Sequence, residues 1–298
     1  MNLNWGCSMK SGFIALIGKP NVGKSSLLNN IIGEKIAIMS PKPQTTRNNI
    51  LGIYTNSDMQ AIFIDTPGLH NAKSKLNEKM VDETYKSLKG VDICILMMDI
   101  SMPITEYEKK IIDRLKNYTI PVFLVLNKID LVSKLELIKR LEEVNKLMNF
   151  KEIFPLSVKN KDNIDTLLNK VYEYLPEGPM YYPEDQITDV PEKFVVSELI
   201  REKVLFLTNE EVPHSVAVTD VLYLENNTIS ATIIVERESQ KKIIIGHNGS
   251  MIKEIGKRAR LDINKLLGKN INLELWVKVK ENWRNKALDV KSYGNYND

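Results

Sequence analysis

Solid apolar runs alternate along this chain with stretches in which apolar residues recur every three to four positions, a pattern of strands and helices in succession. Gly12-Phe13-Ile14-Ala15-Leu16-Ile17 reads as a buried strand, and Ser26 to Ile32 carries Leu27, Leu28, Ile31 and Ile32 at helical spacing before Gly33 stops it. Ala61-Ile62-Phe63-Ile64 pairs naturally with Ile50 to Tyr54 across a short polar turn. Val122 to Leu126 forms another buried strand, and one more precedes Leu156. The expected fold of this half is α/β, with a mostly parallel, doubly wound sheet. The pattern breaks from Leu175 to Lys193, where Pro176, Pro179, Pro183 and Pro191 crowd together with Gly178 and several acids. Beyond it, Phe194 to Thr208 reads as a helix, Ser215 to Leu224 and Thr228 to Val235 as strands, and Ile271 to Val279 as a last strand. Two helical stretches lie before that strand, separated by Gly246-His247-Asn248-Gly249, so the second half reads as a separate α+β domain.

Length agrees with this division, since 298 residues suit two domains that each bury a core. The expected layout is an N-terminal extension over 1–10, a first domain over 11–176, a linker over 177–193, a second domain over 194–285 and a tail over 286–298. Residues Met1 to Ser8 stand ahead of the first domain, and Met9-Lys10-Ser11 looks like the more usual start. Only Cys7 and Cys94 are present, which implies no disulfide framework and points to the cytosol. No run approaches the roughly 18 apolar residues of a membrane span, and Met1 to Lys10 lacks an apolar signal core.

Chemistry enters between the first strand and the first helix. Gly18-Lys19-Pro20-Asn21-Val22-Gly23-Lys24-Ser25, with Ser26 next, matches G-x-x-x-x-G-K-[ST] in the strand-to-helix context that gives the pattern meaning. Its glycines let backbone N–H groups converge on phosphate oxygens, Lys24 is expected to reach the β- and γ-phosphates, and the Ser25 hydroxyl to bind Mg²⁺. Asp65-Thr66-Pro67-Gly68 comes directly after the strand ending at Ile64; Asp65 can hold Mg²⁺ through water, and the Gly68 N–H can contact the γ-phosphate. Asn127-Lys128-Ile129-Asp130 sits at a strand's C-terminal end, where ligands bind in open parallel sheets. The Asp130 carboxylate accepts from guanine N1–H and the 2-amino group, which adenine cannot match, and the Lys128 stem suits packing over the purine. Leu156-Ser157-Val158 is expected to offer backbone N–H groups to guanine O6. Together these predict a GTP/GDP site with Mg²⁺ and an enzyme that hydrolyses GTP.

The loop Ser40-Pro41-Lys42-Pro43-Gln44-Thr45-Thr46-Arg47 is polar and proline-broken, and a threonine in it can complete the Mg²⁺ shell only when the γ-phosphate is present. The residue after Gly68, where Ras-like enzymes place a water-orienting glutamine, is Leu69, which cannot hydrogen-bond a water. His70 beside it is expected to be a solvated bystander.

In the second half the order α-β-β-α-α-β with G-x-x-G between the last two helices is that of a type II KH domain, whose loop clamps single-stranded nucleic acid. The helix after Gly249 puts Ile252, Ile255, Ala259, Ile263, Leu266 and Leu267 on one face and Lys253, Lys257 and Arg260 along another. Net charge of the whole chain is only +3, yet it is divided unevenly. Residues 183–236 hold 3 Lys and Arg against 11 acids, whereas residues 237–291 hold 14 against 6. The basic excess borders the glycine loop, so Gly246, His247, Asn248, Gly249, Lys253, Lys257 and Arg260 are expected to contact RNA phosphates.

A phosphate loop of this form, the Gln-Thr-Thr-Arg loop and Ile243-Ile244-Ile245-Gly246-His247-Asn248-Gly249-Ser250-Met251-Ile252-Lys253 together resemble the bacterial Era family of GTPases over nearly the whole chain. Met1 to Ser8 do not share that resemblance. The resemblance implies binding to 16S ribosomal RNA near its 3′ end and a role in 30S subunit assembly, in the cytoplasm, with a peripheral inner-membrane fraction in some members. It also implies Thr46 rather than Thr45 as the Mg²⁺ ligand, and a K⁺ ion near Asn21 that supplies positive charge to the phosphates; Asn21 as a plain turn former is the alternative. Neither DNA binding nor an obligate oligomer is expected. A tRNA-modification GTPase would share the first domain but lack the G-x-x-G loop, and a passive RNA-binding module would lack Lys24 or Asp130.

Overall fold

The computed structural model describes residues 9–40, 42, 45–46, 48–69, 81–82, 84–209, 212–286, 289 and 293. Met1 to Ser8, Pro41, Pro43, Gln44, Arg47 and His70 therefore lie outside the described residues.

The chain divides into two compact units. In the first, a six-stranded sheet runs in the order β2-β3-β1-β4-β5-β6. Its strands are β1 (Lys10–Gly18), β2 (Ile50–Thr55), β3 (Met59–Asp65), β4 (Ile93–Asp99), β5 (Val122–Asn127) and β6 (Glu152–Pro155). β2 and β3 pair antiparallel, and every other neighbour is parallel. Helices α1 (Lys24–Ile32), α2 (Glu106–Leu115), α3 (Lys134–Asn145) and α4 (Ile164–Tyr174) accompany it. A strand with helices on both faces has no polar side to show, which is why β4 and β5 read Ile-Cys-Ile-Leu-Met-Met and Val-Phe-Leu-Val-Leu and are buried along those residues. Helices α2 and α3 start on capping boxes, Thr105 with Glu108 and Ser133 with Glu136, which satisfy backbone donors at the first turn. All the parallel strands end on the same edge, which carries Gly18, Asp65 and Asn127.

The second unit contains α5 (Glu192–Leu207), a helical turn at Val212–Ser215, then β7 (Ala217–Leu224), β8 (Thr228–Val235), α6 (Glu238–Ile245), α7 (Ser250–Leu267) and β9 (Asn272–Val279). Its sheet has the order β7-β8-β9, antiparallel then parallel, and α5 packs on α7 and β7. Ser215 and Val216, expected to open the first strand, belong instead to that turn and the residue after it, where the Ser215 carbonyl accepts from the buried Trp283 indole at 2.8 Å. The expected tail is anchored in part, because the Tyr293 ring stacks edge-on against Trp283.

Two boundaries differ from the sequence expectation. The strand β1 begins at Lys10, and residues 177–189 belong with the first unit rather than forming a free tether. The buried Gln60 amide holds them: its Oε1 accepts from Tyr181 N at 2.7 Å and Tyr182 N at 3.0 Å, and its Nε2 donates to the Tyr182 carbonyl at 2.9 Å. Ile53 N donates to the Ile187 carbonyl at 2.9 Å, so the proline-rich segment covers the open edge of β2, a row of backbone donors and acceptors that no strand of the sheet pairs. The second difference is Lys35–Asn48, which packs with the second unit although the sequence sets it between α1 and β2.

Candidate nucleotide site and nucleic-acid groove

The phosphate loop leaves β1 at Gly18 and turns through Asn21 and Gly23, both with left-handed backbone at φ of 64° and 108°. Gly23 has a second constraint, because a side chain there would run into the Asn127 amide. This is a cradle that a Cβ would fill, with α1 starting immediately behind it, and it fits a phosphate chain. Lys24 is buried within the loop and donates to the carbonyls of Gly18 at 3.1 Å and Lys19 at 3.0 Å. Burial strips water from its ammonium and pulls its pKa down to about 8, against an opposing upward pull from Asp65. A buried amine in that condition is matched by an anion. Lys19 lies 3.7 Å from Glu108, Pro20 sits against Gly68, and the Val22 carbonyl accepts from Asn127 Nδ2 at 2.8 Å. The last bond ties the phosphate loop to the strand that delivers the base-reading motif. Ser26 contributes its carbonyl to Asn30 at 2.9 Å, within the helix.

The metal side of the site is also assembled. Ser25 Oγ donates to Asp65 Oδ2 at 2.6 Å, with Asp65 fully buried at the end of β3. A hydroxyl and a carboxylate oxygen in contact at the end of a phosphate loop are a donor set suited to Mg²⁺. Thr66 is buried and donates to the Leu16 carbonyl at 2.6 Å, so Pro67 and Gly68 leave the strand in a set direction. Leu69, in the place of the glutamine, is fully buried in the hydrophobic core, and its N–H donates to the Gly18 carbonyl at 2.9 Å. It is a packing residue that also fastens the two loops together.

At the base-reading end, Asn127 Oδ1 accepts from Lys128 N at 2.8 Å and Val158 N at 3.1 Å. Asp130 accepts from Ser157 Oγ at 2.6 Å. The Val158 N–H is engaged by Asn127, and the Ser157 N–H donates to the Asp162 carbonyl at 3.3 Å. Both residues thereby help to orient Asn127 and Asp130. Lys128, itself left-handed at φ 70°, pairs with Asp99 at 2.5 Å, which sets the course of its aliphatic stem. Burial pushes the Asp99 carboxyl upward, but hydrogen bonds from Lys128 and Ser101 outweigh this and hold it below its ordinary value. Sequence reading missed Asp99; its position at the end of β4, level with Asn127 in register, was the available signal.

The loop expected to report the nucleotide is held by the second unit. Lys35 Nζ lies 2.7 Å from Glu202 and 2.8 Å from Asp262, and Lys203 binds the same two carboxylates at 2.7 and 2.5 Å. Met39 N donates to Glu202 at 3.1 Å, Lys42 Nζ to Asn209 at 2.8 Å, and the Thr45 carbonyl accepts from the buried Arg201. Thr46 comes next, buried in the same unit.

Around the glycine loop, Gly246 closes α6 at φ 71°, where a Cβ would lie 2.7 Å from the Met251 Cβ, and Asn248 is left-handed at φ 49°. His247–Gly249 form one tight turn before α7, which buries Ile255, Ala259 and Ile263 and leaves Lys253, Lys257 and Arg260 exposed. Between α7 and the edge strand β9 runs a groove of about 380 Å³, with Ile252, Gly256, Leu273 and Leu275 at its floor and the three cations along its wall. An apolar floor beside a basic wall suits unstacked bases with their phosphates outward.

Comparison with known proteins agrees from both ends. The family model for a 50S ribosome-binding GTPase matches residues 13–128, and the KH domain model matches residues 211–284. GTPase Era of Staphylococcus haemolyticus (strain JCSC1435) is 51% identical over 293 residues, 97% of this chain and 98% of that protein. The chain belongs to the Era family of GTPases. A crystal structure of an Aquifex aeolicus Era variant bound to GDP·AlF4⁻ superposes with a TM-score of 0.90 at 40% identity, covering 96% of this chain and 99% of that one. An Era structure in complex with MgGDPNP and nucleotides 1506–1542 of 16S ribosomal RNA matches with the same TM-score, identity and coverage. Among the described residues, no helix is long and apolar enough to cross a membrane.

The depressed Lys24 pKa has a measurable consequence. Bound phosphate restores the ammonium, so above about pH 8 nucleotide binding must take up a proton, and affinity falls as pH rises, up to about tenfold per unit. Calorimetric titration of GDP in buffers of different ionisation enthalpy should show almost no proton uptake near about pH 6.5 and more than half a proton near about pH 8.5. Uptake that is nil throughout would contradict the assignment of Lys24.

Proposed function

We propose that this chain hydrolyses GTP and uses its KH unit to bind 16S ribosomal RNA near the 3′ end during 30S subunit assembly. The observation that carries the reading is the joining, in one chain similar to Era from end to end, of a phosphate loop with Ser25 against Asp65, a base-reading end at Asn127 and Asp130, and a basic groove. Mg²⁺, when bound, contributes positive charge shared between the phosphate oxygens. Ser25 and Asp65 would hold it, with Thr46 joining when the γ-phosphate is present. Lys24 would neutralise charge on the β- and γ-phosphates, the Gly68 N–H would contact the γ-phosphate, and Asn127 and Asp130 would select guanine.

With Leu69 in the core and no glutamine to orient water, turnover of the isolated protein should be slow, roughly 10⁻⁴ to 10⁻² per second. A K⁺ ion near Asn21 would add the missing charge, since electrostatic stabilisation of the transferring phosphoryl group is the main requirement. Hydrolysis should rise about tenfold when Na⁺ is replaced by K⁺. The informative variant is Asn21→Gly, because glycine keeps the left-handed backbone and removes only the amide. Its rate should be the same in both salts. Equal rates for the unmodified protein in the two salts would dispose of the ion.

A further inference from the structure

Beyond the groove, a second cavity of about 360 Å³ lies among Asn226, Asn227, Arg260, Asn264, Asn270 and Asn272. Arg260 lines both cavities, so the two adjoin. On α7, Lys253, Lys257, Arg260 and Asn264 recur at intervals of four, three and four and form one stripe. That stripe leads from the glycine loop to the second cavity over roughly 20 Å of helix.

The lining is unusual in its chemistry. Five of these side chains are carboxamides, each presenting a donor and an acceptor side by side. Among the described residues no carboxylate lines the cavity, so it is not built for a cation, and a single guanidinium is a meagre receptor for a free anion. A neutral, planar, hydrogen-bonding ligand fits best. Part of the lining has structural work: Asn226 and Asn227, at φ 56° and 54°, are the central residues of the turn from Glu225 to Thr228 that joins β7 to β8, and Asn264 Oδ1 accepts from Ile271 N at 3.0 Å. Yet glycine would serve that turn as well, and asparagine keeps an amide at the rim. Among the described residues, the side chains of Asn226, Asn227 and Asn272 hydrogen-bond no protein group, and Asn270 uses only its oxygen, accepting from Asn264 at 3.1 Å.

We propose that this asparagine-lined cavity takes one unstacked nucleobase of the same RNA strand that fills the groove, one step beyond the nucleotides clamped by the glycine loop, and reads its edge by hydrogen bonds to the carboxamides. The inference rests on the RNA-binding reading of the groove. Amide pairing with base edges is a standard means of discrimination, and single-strand sites gain much of their affinity base by base.

The test uses the full chain with a non-hydrolysable GTP analogue and Mg²⁺. A fluorescein-labelled single-stranded RNA of about ten nucleotides from the 3′ end of small-subunit RNA is titrated by anisotropy, together with a series in which one abasic site moves along the strand. Binding to the unmodified protein should weaken at a run of consecutive positions, by about tenfold at the outermost. In Asn270→Ala/Asn272→Ala that outermost position should become neutral, with less than about a twofold loss on removing the base, while the inner positions keep theirs. Asn270→Asp/Asn272→Asp, which retains an acceptor for Asn264 and removes the donors, should behave the same way. An abasic profile identical in the variants and the unmodified protein would overturn the inference and leave the groove intact. No binding of any strand by the unmodified protein would overturn the RNA reading and this inference with it. Unchanged losses at the inner abasic positions in both variants show that the KH unit keeps its fold.

Discussion

Asp130→Asn should reverse the base preference of the enzyme from GTP to xanthosine triphosphate. The carboxylate of Asp130 has no donor, and it meets two guanine donors, N1–H and the 2-amino group. Replacing it by an amide turns one acceptor into a donor, which faces the guanine 2-amino group in a clash of donors but matches the 2-oxo group of xanthine. Sites built on buried hydrogen bonds reject a mismatched ligand by about 10⁴-fold, so GTP affinity should fall by about 10³-fold or more. Ser157 makes the exchange structurally mild: its hydroxyl, now 2.6 Å from the carboxylate, can donate equally to the amide oxygen. Asp130 is exposed in a short turn, so the fold should be unaffected. Competition binding with both nucleotides measures the result, and an unaltered preference for GTP would remove Asp130 from the base site.

His247→Asp/Asn248→Asp should abolish most RNA binding while sparing GTP hydrolysis. The two residues between the KH glycines lie against the nucleic-acid backbone, so two carboxylates there set repulsion beside phosphate. The substitution suits the local backbone. Asn248 is left-handed at φ 49°, a conformation aspartate tolerates nearly as well as asparagine, and Gly246 and Gly249, whose positive φ the turn requires, are untouched. RNA affinity should fall at least about tenfold, or about 1.4 kcal/mol, in a filter-binding titration with a single-stranded fragment of the 3′ end of small-subunit RNA. A hydrolysis assay on the same preparations supplies the control. RNA affinity equal to that of the unmodified chain would reject the role given to the glycine loop.

Sequence by itself determined the framework of both units and most of the nucleotide site. The reason is local: a phosphate loop is eight consecutive residues between a strand and a helix, and Asn127 to Asp130 are placed by the strand that ends in them. β8 runs from Thr228 to Val235 as its apolar pattern predicts, and the two glycines of the KH loop stand where one helix must stop and another start. Helices α2 and α3 are marked in the chain too, by Thr-x-x-Glu and Ser-x-x-Glu at their starts. Tertiary structure decided everything that depends on a partner distant along the chain. The segment 177–189 looks like a tether in composition, yet it lies on β2 because that strand is an edge and because Tyr181 and Tyr182 satisfy most of the buried Gln60 amide. Val158 carries an N–H group that any strand end would present; its use on Asn127 comes from β5 and β6 being neighbours. Lys35 and Asp262 are 227 positions apart, and no local pattern could pair them. They meet because α5 brings the buried Glu202 between two lysines and α7 brings Asp262 to the same two, so the charges neutralise one another only once both helices are packed.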